Sequence, residues 1–261
     1  IRFPAWRLRQ EMESRLAQAE PWKWKPSRAR TGDDRDAVVV GAGVGGLAAA
    51  ALMAKRGMRV LVCEAHDKPG GACSSWTRRT SRGDFRFDAG VHNFSGVGPR
   101  GSVRGLLREV GREDAIEWLA VRREFRKDGI RLDASGSLTQ VSQRLCALFP
   151  TERSGIDGVF QEMLSVHREM YAALDGVSGL PGPPKTVEAM LAFPRTNPTM
   201  YRNLTIRYKD LVEGKVRDPA LRNQLMAMCG YLTDDPATLG VLQVAPLYGY
   251  WIDGGLYPRG G

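Results

Sequence analysis

The run from Asp36 to Glu64 constrains the fold more than any other part of the chain. Four apolar residues, Ala37 to Val40, lead into Gly41-Ala42-Gly43-Val44-Gly45-Gly46, and an alanine-rich segment continues to Arg56, where Gly57 stops it. A short, fully apolar run suits a buried parallel strand, and an alanine-rich segment closed by glycine suits a helix. Arg59 to Glu64 then reads as a second strand, so the whole has the size of one strand, helix, strand crossover. The uncharged run Ala37 to Ala54 reaches the lower edge of membrane-spanning length, about 18 residues, but the glycines near its start break it into strand, tight turn and helix.

Each glycine of Gly41-x-Gly43-x-x-Gly46 has a physical task at the end of a strand. Gly41 permits the turn, Gly43 lets the backbone approach a pyrophosphate, and Gly46 lets the helix pack close to the strand. The helix then presents its first N–H groups and positive dipole end to phosphate. Ala42 and Gly45 complete the loop. Glu64 closes the next strand about 20 residues later, where a carboxylate accepts bonds from ribose hydroxyls and repels a 2′-phosphate. Such a site favours FAD or NAD over NADP.

Composition removes other classes. Four cysteines lie far apart with no C-x-x-C pair, and the three histidines show no H-E-x-x-H spacing, so no metal site is expected. The net charge of +9 invites a nucleic-acid reading. Yet the basic residues are scattered, with short pairs such as Arg78-Arg79 and Arg122-Arg123, and no RNA-binding aromatic signature accompanies them. A solvated basic surface is expected and nucleic acid is not.

The chain divides into an N-terminal extension or linker (1–35), the N-terminal part of a nucleotide-binding domain (36–100), a largely helical region (101–255) and a short return (256–261). Leu8, Met12, Leu16 and Ala19 recur at helical spacing in the first segment. Helices are expected at 103–110, 140–149 and 155–174, the last with Met163, Val166, Met170 and Leu174 on its apolar face, and a strand at 130–133. A Gly- and Pro-rich bend spans 176–184, and 185–248 reads as mostly helical, with Asp234-Asp235-Pro236 as a helix start. Those paired aspartates, like Asp33-Asp34, sit at element boundaries and read as caps rather than acid/base pairs. His92, near Asp88 and Ser95, lacks the G-x-S-x-G elbow of a hydrolase and reads as a cofactor-side or packing residue.

Three further stretches carry a family resemblance. Glu64-Ala65-His66-Asp67-Lys68-Pro69-Gly70-Gly71-Ala72, Phe87-Asp88-Ala89-Gly90-Val91-His92 and Tyr257-Pro258-Arg259-Gly260-Gly261, added to the glycine turn, resemble the flavoproteins that include phytoene desaturases, carotenoid isomerases, retinol saturases and amine oxidases. The likeness covers about residues 36–92 and 230–261 and is loose between. It implies an α/β fold: a Rossmann-like FAD-binding domain with a three-layer parallel sheet, joined to a mixed, largely helical substrate domain, its C-terminal part lying beyond this sequence. It also implies that Gly70 and Gly71 lie against the FAD and that the F-D-x-G segment lines the same cavity. Ala72 stands where the amine oxidases usually carry Arg, so their flavin contact there does not transfer.

The resemblance implies an FAD-dependent oxidoreductase or isomerase acting on a conjugated polyene, by desaturation, saturation such as 13,14-reduction of all-trans-retinol, or cis–trans isomerisation. Trp118, Phe125, Met163, Met170, Phe193, Trp251 and Tyr257 are candidates for the polyene slot, though such residues at helical spacing usually form ordinary core. No catalytic residue is singled out. A lipophilic substrate suits peripheral membrane contact, in a plastid or the endoplasmic reticulum, or a cytoplasmic setting in a prokaryote. An amine oxidase, or a lipid carrier like the Rab GDP-dissociation inhibitors, shares the scaffold; Y-P-R-G-G speaks against the first and the intact glycines against the second. Because the family completes its flavin site with later residues, this segment alone is expected to bind FAD poorly.

Overall fold

The computed structural model describes residues 34–91, 93–99, 101–172, 184, 186–233, 235–252 and 254–259. Residues 1–33 of the extension with the helix expected there, 176–183 of the bend expected at 176–184, Leu174, His92, Asp234, Gly260 and Gly261 lie outside them.

Strand β1 (Ala37–Val40) runs parallel to β2 (Val60–Cys63), with Ala37 opposite Val60 and Val40 opposite Cys63. Helix α1 (Val44–Lys55) makes the crossover and packs on the face that carries Val39. The strands are less covered than their apolar sequence implies. Val38, Val40 and Leu61 on the opposite face are 58%, 85% and 42% exposed. A parallel sheet normally buries both faces, but among the described residues only α1 covers this pair.

Next come two antiparallel hairpins and a closing pair. β3 (Ser75–Thr80) pairs with β4 (Gly83–Asp88), β6 (Glu124–Lys127) with β7 (Ile130–Asp133), and β5 (Trp118–Ala120) with β8 (Leu256–Pro258). Only β7 matches a strand expected from the sequence in this region. Helix α2 (Ser102–Glu109) precedes β5, and its last turn is tied to α1 by Lys55 and Glu109, 3.3 Å apart.

The main core lies in the helical region. α3 (Leu138–Leu148) starts with a reciprocal cap: Ser137 Oγ accepts from the Gln140 N–H while Gln140 Oε1 accepts from the Ser137 N–H. α4 (Arg153–Ala172) buries Ile156, Val159, Phe160, Met163, Val166, His167 and Met170, one stripe at helical spacing. Each such apolar side chain contributes about 1.5–3 kcal/mol when taken from water. The stripe packs against α9 (Val241–Ile252), which buries Val241, Val244, Leu247, Tyr248 and Trp251. Between them stand α5 (Val187–Thr196), α6 (Pro198–Arg202), α7 (Tyr208–Lys215) and α8 (Pro219–Ala227).

Polar side chains fasten these helices from inside. Glu152, 9% exposed, accepts the N–H groups of Arg217 and Asp218. Glu169 accepts those of Thr199 and Met200 at 3.0 and 2.7 Å, satisfying the start of α6 from a different helix. The hydroxyls of Tyr208 and Tyr248 meet at 2.8 Å. The helix start expected at 234–236 is shorter than read: Pro236 to Thr238 form a single 3₁₀ turn. The Leu239 carbonyl then accepts from Tyr208 and Gly240 bridges Arg207, which turns the chain before α9 begins.

Candidate functional site

The glycine turn sits where β1 hands over to α1. The Gly41 N–H donates to the Cys63 carbonyl at 2.7 Å, continuing the strand pair by one residue, and Gly41 then turns at φ +97°. A Cβ on Gly46 would stand 2.0 Å from the Gly41 carbonyl oxygen, so only glycine lets the helix come this close. Gly43 is the N-cap, with no side chain capping the helix and no acidic residue in its first turn. Gly45 is exposed, with open space beyond its Cα. The first N–H groups of α1 therefore form an anion-favouring end.

Glu64 and the paired glycines close around this turn. Glu64 Oε2 accepts the Ala42 N–H at 2.6 Å and Oε1 accepts the His66 N–H at 2.9 Å. These backbone donors, His66 first and Ala42 next, hold the Glu64 carboxyl below its ordinary value. Gly70 donates to the Ala42 carbonyl at 2.7 Å, and the Cα of Gly43 lies 3.1 Å from where a Gly71 Cβ would be. Gly41, Ala42, Gly43, Gly45, Gly46, Glu64, Gly70 and Gly71 thus form one continuous loop cluster.

The later motifs converge on the same cluster. Ala89 and Val91 donate to the carbonyls of Ser74 and Ala72, which lays the F-D-A-G segment along the paired-glycine turn. Tyr257 Oη donates to Asp88 Oδ1 at 2.5 Å, and this bond, with partial burial, raises the tyrosine pKa. Phe94 and Leu256 exchange backbone bonds of 2.7 and 3.1 Å. An open groove of about 880 Å³ adjoins the cluster, lined by Lys68, Cys73, Trp76, Arg79 and Arg86 among others. Burial pushes the Cys73 thiol up, away from thiolate character.

The slot candidates are not brought together. Met163 and Met170 belong to the main core, Phe193 meets Tyr201, and Trp118 meets Phe94 edge-on. Only Phe125 and Trp251 share a cavity, and they share it with Arg123 and Asn93, which the sequence reading passed over. Arg123 departs from the solvated surface expected of its basic pair. Its guanidinium lies 5.7 and 5.4 Å from the ring centres of Tyr250 and Trp251. Among the described residues, no helix is long and apolar enough to cross a membrane.

Residues 39–110 match the family model of the NAD(P)-binding Rossmann-like domain. Over 242 residues the chain is 26% identical to an all-trans-retinol 13,14-reductase of Danio rerio, a match that covers 89% of this chain and 39% of that protein. The corresponding reductase of Macaca fascicularis is 38% identical over 99 residues, 38% of this chain and 15% of the relative. A chloroplastic/chromoplastic 15-cis-phytoene desaturase of an Oncidium hybrid cultivar is 35% identical over 83 residues, 32% of this chain and 13% of its own. The chain thus spans about two-fifths of the length of the first of these relatives. With a Rossmann-like turn at its head and the paired-glycine and F-D-A-G segments folded onto it, the chain carries a Rossmann-like dinucleotide-binding domain and is similar to the retinol 13,14-reductases and phytoene desaturases.

Proposed function

We propose that this chain supplies the dinucleotide cradle and part of the substrate region of an FAD-dependent oxidoreductase or isomerase that acts on a conjugated polyene. One observation carries the reading: the glycine turn, Glu64 and the paired glycines are joined by direct hydrogen bonds into one loop cluster at a helix N-terminus. The residues present fit the group. The pyrophosphate would lie on the N–H groups at the start of α1, beside Gly43 and Gly45, which place no side chain in its way. Glu64 retains lone pairs on both oxygens for the ribose hydroxyls. Gly70 and Gly71 would back the cofactor, with the segment from Asp88 beside them. The names of the relatives support a lipophilic polyene substrate.

The flavin, when bound, supplies the exchange of hydride equivalents with a polyene carbon. The protein binds, orients and excludes water. Residues 36–100 act as the N-terminal part of the cofactor domain and 101–255 as the substrate region, with 256–261 returning toward the cofactor domain. Substrates of this kind reside in lipid, so the protein works in peripheral contact with a membrane.

The test is direct. The full-length flavoprotein is incubated without oxygen with all-trans-retinol, phytoene and a poly-cis carotenoid in turn, with and without prior flavin reduction, and products are separated by chromatography. Conversion of one of them is expected; an enzyme that leaves every polyene unchanged but is reduced by amines contradicts the reading.

A further inference from the structure

Arg123 is a part-buried cation with no carboxylate partner among the described residues. Its backbone is held on both sides, by Ser135 Oγ at 2.8 Å and by the Ala134 N–H at 2.9 Å, which fixes where the side chain starts. Nη2 donates to the Tyr250 carbonyl at 2.9 Å, and the Tyr250 and Trp251 rings flank the guanidinium. Among the described residues no Asp or Glu pairs with it, and its Nε–H is buried with no acceptor. A buried donor left unmade costs its full desolvation. Burial lowers the pKa of the group, opposed only in part by the neighbouring Tyr231 and Tyr250 hydroxyls.

A matching acceptor stands across the same small space. Asn93 is 8% exposed and its Oδ1 is buried with no donor among the described residues. A Cβ on Gly255 would lie 2.8 Å from Asn93 Oδ1 and 2.9 Å from both Cζ and Nη1 of Arg123, so glycine there keeps the two groups facing one clear point. They line a cavity of about 10 Å³ with Phe125, Tyr231, Tyr250 and Trp251. That volume admits one group the size of a hydroxyl or water. The rest of the wall is aromatic and aliphatic, with Met228 and Leu247 beside the rings.

We propose that Arg123 and Asn93 form the polar end of the substrate region and bind the terminal hydroxyl of a lipophilic alcohol. The inference rests on the polyene reading above and narrows it to oxygenated polyenes. A hydroxyl accepts from the Arg123 Nε–H and donates to Asn93 Oδ1, satisfying both groups at once. A hydrocarbon terminus satisfies neither. A carboxylate only accepts, and would set its charge against the amide oxygen; an amine would set a second cation against the guanidinium. Asn93 follows directly on the segment whose Val91 N–H bonds the Ala72 carbonyl, which places this polar end next to the cofactor cluster. Of the lining residues Tyr231 is 51% exposed, so the proposal places the apolar chain on its side.

The experiment measures equilibrium binding of all-trans-retinol, its methyl ether and all-trans-retinoic acid to the full-length flavoprotein, by the change in polyene fluorescence or absorbance. The alcohol is expected to bind at least tenfold more tightly than the ether, which loses the donated bond and adds a methyl group that the cavity has no room for. It is also expected to bind more tightly than the acid. In Arg123→Met and Asn93→Leu that preference shrinks to about twofold. Equal affinity for alcohol and ether overturns the proposal and leaves a buried water as the occupant, with the polyene reading intact. Tighter binding of the acid overturns it in favour of a carboxylate. Binding of no polyene by FAD-loaded protein overturns this inference and the polyene reading together. If the variants do not fold, the comparison of alcohol with ether on the unaltered protein still decides.

Discussion

Glu64 accepts backbone bonds at both carboxylate oxygens, and those bonds keep it ionised at neutral pH. Glu64→Ala therefore removes a brace of the turn together with the proposed contact to the ribose, and is expected to weaken FAD binding about tenfold or more in a titration of the full-length protein. An unchanged Kd would assign Glu64 to the brace alone. Gly46→Ala drives a methyl group into the Gly41 carbonyl, with an expected loss on the order of 2 kcal/mol in denaturant unfolding. His167 offers a pH test. It is 6% exposed, and burial lowers its pKa to about 4 from the ordinary 6.5. The unfolded chain binds the proton first, so this group costs no stability above pH 6.5 and progressively more as pH falls toward 4, about 2 to 3 kcal/mol at the lower end. Tm measured between pH 7 and pH 4.5 should fall less steeply in His167→Gln than in the unaltered protein. Residues such as Gly41, Gly46 and Glu64 are legible in the sequence because turn chemistry and a fixed spacing define them locally. Arg123 and Asn93 are not, because their environment exists only once α9, the β5–β6 connection and β8 have packed.

At the scale of elements, the long helices could be read because an apolar stripe announces them. The expected 140–149 and 155–174 correspond to α3 and α4 with ends shifted by a few residues. The β3–β4 hairpin was missed, although it carries its own signal. Trp76, Arg78, Phe85 and Phe87 alternate with polar neighbours around the two-residue turn Ser81-Arg82, and Gly83 follows at φ +123°. Its aromatic face stays about half exposed, so no apolar run marks it. Start signals also mislead when tertiary contacts intervene. Asp235-Pro236 opens only a 3₁₀ turn, while Asp218-Pro219, with the same chemistry, opens α8 through bonds to Ala220 and Leu221. The cap of α3 can be tested alone: Ser137→Ala should cost about 1 kcal/mol in unfolding, with no change in FAD affinity. Glu169→Ala should cost more, about 1 to 3 kcal/mol, because it strands the Thr199 and Met200 donors in a largely buried place.

At the scale of the molecule, segments far apart in sequence meet at one place. The glycine turn, the paired glycines, the F-D-A-G segment and Tyr257 are linked by a chain of hydrogen bonds that ends at Asp88. That convergence was expected from the resemblance and could not be derived from spacing, since nothing local to Tyr257 points to Asp88. The slot for the polyene was not legible, because aromatic and methionine residues at helical spacing serve core and cavity alike. Met163 and Met170 turned out to be core, and Phe125 and Trp251 line the small cavity. The central claim is that the loop cluster holds a flavin. It is tested most directly by the visible absorption spectrum of the purified full-length protein, with chromatography of the small molecule released on denaturation. The cluster predicts a flavin spectrum and close to one FAD per chain. A colourless protein that takes up no FAD on reconstitution would contradict it.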